Sequence, residues 1–118
     1  MNDKTIHVIP DHIDGCDDAW GCAPLNSPAG HAFFEDIVIN VPPALLKKQG
    51  KWTGNPNDGL GVLLGMTISH EAGHTYGIEH SNSGIMNPNT TVRQRLHLNW
   101  WDQKAQKRLT EELGLKQP

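Results

Sequence analysis

The chain has 118 residues, of which 36% are hydrophobic and 19% charged, and its formal net charge is −3. That length allows one domain with a modest core, taken as residues 1–118, and excludes two. No stripe of Lys and Arg offers a nucleic-acid surface, and no run of about 18 apolar residues offers a membrane span.

With 12 Gly and 8 Pro the chain is rich in loops. The opening MNDKTIHVIPDH has none of the three parts of a signal peptide. The protein is therefore expected to act in the cytoplasm where it is made, or to be secreted after loss of a leader. TIHVI, from Thr5 to Ile9, is β-rich and stops at Pro10, which predicts a strand. A long loop rich in Asp, Gly and Pro follows. It holds Cys16 and Cys22, which are placed either to form a disulfide or to remain two thiols. Its Asp11, His12, Asp14, Asp17 and Asp18 make it a candidate Ca2+ loop, although the spacing is not that of an EF-hand. His31 to Phe34 and Asp36 to Val41 read as two further strands, closed by Pro42 and Pro43. KKQGKWTGNPND reads as loop.

A helix is predicted next, capped by Asn57 or Asp58 and running to Tyr76. Leu60, Val62, Leu63, Leu64, Met66 and Ile68 make its first half apolar on most sides, which predicts burial. Glycines 59, 61, 65 and 73 lower its propensity and allow close backbone approach. SNSGIMNPNTTVRQ reads as loop, and WWDQKAQKRLTEELG as an amphipathic helix with Leu109 and Leu113 on one face and a stop at Gly114.

The chemistry concentrates in SHEAGHTYGIEHSNSGIMNP. His70 and His74 stand four apart, so on a helix both imidazoles point to one side. Gly77 can take the left-handed conformation that ends the helix, and His80 can then return to the same point. Three nitrogen ligands with an open fourth position describe a catalytic zinc site rather than a closed structural one. Glu71 lies beside the pair without ligating. Its carboxylate can take a proton from a metal-polarised water and return it to a leaving amine. In a chain of this composition, 7 His among 118 residues included, the spacing H-E-x-x-H-x-x-G-x-x-H arises by chance about once in 10⁴ chains.

That spacing, with Met86 shortly after His80, resembles the metzincin metallopeptidases. GHAFFEDIVIN and the C-terminal helix resemble the matrixin branch. The resemblance implies an α+β, zincin-like fold. This has a small, mostly parallel or mixed sheet with an antiparallel edge strand, a central active-site helix and a C-terminal helix. It implies one catalytic Zn2+ held by His70, His74 and His80, with Glu71 as general base and then acid, and Gly77 and Met86 as structural support. It implies an extended protein or peptide substrate paired along Gly30, His31, Ala32 and Phe33 by strand addition, with Pro88, Asn89 and Thr90 walling the pocket beyond the cleaved bond. The function expected is that of a zinc endopeptidase; the alternative is a zinc-dependent peptide-binding module without catalysis.

The chain departs from the pattern in four ways. The elements before the cleft are short. His31 falls where one ligand of the second, structural zinc of matrixins would be, but Val38 or a neighbour stands where another would be, so His31 reads as a strand residue. Asn87 replaces a frequent tyrosine. No inhibitory cysteine motif is present. His7, His97, Tyr76, Glu79 and the four tryptophans read as structural or exposed.

Overall fold

The computed structural model describes residues 4–13, 16 and 20–114. Strand β1 (Thr5–Ile9) forms as the sequence predicts and lies parallel to β3 (Ala29–Phe33), from Thr5↔Ala29 to Ile9↔Phe33. Between them, β2 (Gly21–Cys22) pairs antiparallel with β3 in the register Gly21↔Ala32 and Cys22↔His31. The sheet is therefore mixed, in the order β1-β3-β2. Together with five helices it makes an α+β molecule among the described residues.

This order corrects the placement of the edge strand. His31 to Phe33 lie in the central strand, and both of its sides are occupied. The antiparallel edge is β2, inside the segment read as loop. Two residues are too few to carry a strand pattern.

The second correction concerns Asp36 to Val41. Residues 34–40 form helix α1 (Phe34–Asn40), not a strand. The reason lies in β1. Its last rung is Ile9↔Phe33, and Pro10 supplies no donor to extend the ladder. Beyond Phe33 one bond to the β1 side remains, from the Glu35 amide to Pro10 O at 3.0 Å, and the backbone after it closes its bonds locally. Glu35 and Asp36 in the first turn suit the positive end of a helix. Ile37 and Val41, four apart, both enter the core, whereas Ile39 is left 73% exposed.

A short helix, α2 (Pro43–Lys48), covers Lys47 and Lys48 of one predicted loop and the unassigned residues before them, and a single turn, α4 (Val92–Arg95), forms in the other segment read largely as loop. Pro43 starts the first, and a reciprocal Thr91–Gln94 cap starts the second. The long helix is α3 (Pro56–Thr75), and its cap is Asn55, whose side chain accepts from the Asn57 amide. Leu63 of α3 packs with Ile37, Val41, Leu46 and Leu96 in the larger core. The last helix, α5 (Gln103–Leu113), ends at Gly114 as the sequence predicts, in the left-handed conformation, but it starts after Trp100 and Trp101, with Asp102 as its cap. Its Ala105 and Leu109 join Ile78, Ile85, Met86 and Trp101 in a second, smaller core; Leu113 is half-exposed. No helix of the described residues is long and apolar enough to cross a membrane.

The first half of α3 is not buried all round. Val62 is exposed, and a Cβ on Gly61 or Gly65 would meet nothing within 4 Å. Neither glycine serves a close approach. Gly61→Ala and Gly65→Ala are each expected to stabilise the fold by about 0.5–1 kcal/mol, because alanine loses less backbone freedom in a helix. The double variant should melt several degrees higher; an unchanged or lower Tm would show that this face is covered.

Candidate metal centre

Helix α3 presents His70 and His74 on one side, and the turn that ends it is built in detail. Gly77 adopts φ +81°. Its amide donates to His74 O and the Ile78 amide donates to Gly73 O, the two bonds of a Schellman closure. A Cβ at Gly77 would also stand 2.5 Å from Asn26 Oδ1. The closure brings Ile78 O to 2.8 Å from His74 Nδ1. Ile85 O lies 2.7 Å from His70 Nδ1. A carbonyl oxygen only accepts, so each Nδ1 carries the hydrogen and donates it. Each Nε2 is left with a lone pair, the form that binds a metal.

Those lone pairs converge. His80 Nε2 lies 3.2 Å from His70 Nε2 and 3.2 Å from His74 Nε2. One ligand atom from each of the three residues lies within 4.8 Å of the others. With zinc–nitrogen bonds of about 2.0–2.1 Å, tetrahedral ligands stand about 3.3–3.4 Å apart. The three nitrogens are donors of the kind zinc takes, and the two spacings from His80 are close to the tetrahedral value. His74 is buried, His70 partly buried and His80 exposed, so the cluster opens to solvent on the His80 side.

Glu71 is 1% exposed, and its Oε1 lies 4.0 Å from His74 Nε2. One wall of its slot is Gly21 of β2. A Cβ there would fall 2.5 Å from Glu71 Oε2 and 2.8 Å from Cγ. The backbone of the edge strand thus lies directly against the carboxylate.

Met86 is 1% exposed and supports the helix from the other core. A Cβ on Gly73 would meet its sulfur at 2.5 Å, so the thioether fills the space that this glycine leaves between the two helical histidines in sequence. The turn before it uses left-handed Gly84, and the Ser81 amide donates to Met86 O.

Of the residues expected to bind substrate, Ala32 and Phe33 are fully buried and Gly30 is covered by Ala23 of the chain's own edge segment. His31 is half-buried and stacks at 5.3 Å on His7. The Gly30–Phe33 backbone is committed to its neighbours and offers no edge for strand addition. Pro88 is half-buried, and its carbonyl accepts from Arg95 Nη2.

Sequence reasoning missed Gly21 and Arg95. The Arg95 guanidinium bonds Pro88 O and Thr90 Oγ1, and lies 4.4 Å over the Trp20 ring. It thereby ties the wall after Met86 to the residue before β2. Neither residue carries a local signal, since each matters through partners remote in sequence.

Cys16 and Cys22 form a disulfide. Asp14, Asp17 and Asp18 of the candidate Ca2+ loop lie outside the described residues. His12 pairs with Asp36 at 3.3 Å. Among the described residues, His70, His74 and His80 are the one group of three or more side chains drawn together for a metal. No protein-family model, curated protein or solved structure matches this chain.

Proposed function

We propose that this protein is a zinc endopeptidase of the metzincin kind on a reduced zincin-like fold. The observation that carries the reading is the convergence of three Nε2 atoms, two of them fixed as lone-pair donors by backbone carbonyls, beside a buried carboxylate that lies outside the cluster. Zinc, when bound, supplies the Lewis acidity that polarises a substrate carbonyl and acidifies water.

The chain's own residues do the rest. His70, His74 and His80 hold the ion and leave its solvent side open. Glu71 accepts a proton from the attacking water and passes it to the leaving amine. Strand β2 takes over the role first assigned to Gly30–Phe33. It is the sheet's antiparallel edge next to Glu71, and among the described residues its outer side pairs with no strand. An extended peptide can add there by backbone hydrogen bonds. Pro88 and Thr90, braced by Arg95, form the facing wall.

The near-complete burial of Glu71 favours a second reading, a zinc-dependent peptide-binding module in which the carboxylate is structural. Zinc-loaded protein incubated with a mixed peptide library separates the two. Internal cleavage that chelation stops supports the peptidase. Retention of extended peptides with no cleavage, again stopped by chelation, supports the binding module.

A further inference from the structure

The part of the sheet that touches Glu71 is also the part that carries the disulfide. Gly21 faces the carboxylate, and a Cβ there would stand 2.9 Å from Glu71 Cδ. The next residue, Cys22, projects from the opposite face of the sheet. There it is bonded to Cys16. Strand β2 is two residues long and has few ladder bonds to hold it. Its flanks are fixed by the Phe33 amide donating to Trp20 O at 2.8 Å and by Ala23 lying over Gly30. The disulfide is the covalent tie. The imidazoles are held separately, by Ile78 O and Ile85 O.

We propose that the Cys16–Cys22 disulfide is a redox control on Glu71. Oxidised, it clamps Gly21 against the carboxylate and fixes the proton acceptor beside the imidazoles. Opened, it frees β2 to relax, and the carboxylate loses its wall while the ligands keep their places. The inference rests on the hydrolytic reading of Glu71. Opening is a thiol–disulfide exchange with a dithiol reductant. One reductant thiolate attacks a cysteine sulfur, giving a mixed disulfide and a free cysteine thiolate. The second reductant thiol then displaces the other cysteine. The protein gains two electrons and two protons, and the reductant leaves as its cyclic disulfide. The device supplies a form of latency. In a reducing compartment the chain would hold metal without hydrolysing peptides, and it would gain activity on reaching oxidising surroundings.

The test compares zinc-loaded wild type before and after reduction by a phosphine, which avoids thiols that compete for zinc. Cys16→Ser with Cys22→Ser, and Gly21→Ala with its disulfide intact, are measured alongside. Zinc is expected to stay bound in all forms, while reduction lowers kcat about tenfold or more, the scale of loss for a slightly misplaced catalytic group. Reoxidation restores wild type, and the double serine variant matches the reduced form and ignores the reductant. In Gly21→Ala the edge stays clamped while the added methyl displaces the carboxylate, so kcat falls similarly. Equal kcat in oxidised and reduced wild type, full kcat in Gly21→Ala, or release of zinc on reduction would each overturn the proposal. If oxidised wild type cleaves nothing, the hydrolytic reading fails on its own account. The clamp is then read from the Glu71 carboxyl 13C resonance, identified by its loss in Glu71→Gln. A resonance that moves on reduction keeps the clamp; one that stays overturns it.

Discussion

Glu71→Gln is expected to lower kcat by about 10²–10⁴-fold, the range for loss of a positioned general base, while one zinc stays bound. That loss is about 3–5.5 kcal/mol of transition-state stabilisation. Glutamine keeps the volume of the side chain, so the slot against Gly21 stays filled. It cannot accept a proton at neutral pH. The three imidazoles draw their orientation from Ile78 O, Ile85 O and the Gly77 turn, none of which involves the carboxylate. Zinc affinity should therefore hold, and KM should change little, because the loss falls on a step made only in the transition state. The measurement is kcat and KM on one mapped peptide with metal content checked in the same sample. Undiminished cleavage by a metal-loaded variant would remove Glu71 from the mechanism. Loss of zinc would make the carboxylate a structural residue.

The contrast between what the sequence discloses and what it conceals follows from the range of the interactions. The three-histidine cluster is legible because each of its steps is local. Two histidines four apart share a helix side in any helix, and the Gly77 turn closes that helix by bonds from the Gly77 and Ile78 amides to His74 O and Gly73 O. The second core is partly legible for the same reason, since Leu109 and the Gly114 stop belong to one amphipathic helix. The sheet is less so. Asp36 to Val41 has the composition of a strand, and it becomes helical because β1 ends at Pro10 and leaves no further rung beyond Phe33. That fact belongs to the register of a different segment. Strand β2 has no pattern of its own, and its meaning comes from Glu71, remote in the chain. The resemblance of GHAFF to a matrixin edge strand put the edge on the wrong element, because only pairing can tell a central strand from an outer one. The Arg95 brace is concealed likewise, since it acts through Pro88, Thr90 and Trp20, which the sequence leaves separate.

Removal of zinc is expected to lower Tm by roughly 10–15 °C for a protein of this size. At free zinc about 1,000-fold above Kd, one site that exists only in the folded chain adds about 4 kcal/mol by mass action. That stabilisation would fall on the segment that carries His80. The segment from Gly77 to Met86 crosses the surface by a left-handed glycine at each end of its course, Gly77 and Gly84. It returns only Ile78, Ile85 and Met86 to the small core against α5. His80 lies between them, exposed, with its Nε2 3.2 Å from two other imidazole nitrogens. His70 and His74 direct lone pairs at His80 Nε2, which has at most one hydrogen to donate, so without a cation at least one of these lone pairs goes unmatched. A bound ion would match all three nitrogens and tie the segment to α3. The larger core around Leu63 and Leu46 contains no ligand and should outlast chelation. Loss of amide protection on metal removal should therefore concentrate in residues 77–86 and α5, with α1 and α2 largely spared. Hydrogen exchange on the apo and zinc-loaded protein, run beside thermal melts, reads both parts. A Tm that does not respond to chelation, in protein shown to release its metal, would mean that the imidazoles are held together by the fold alone.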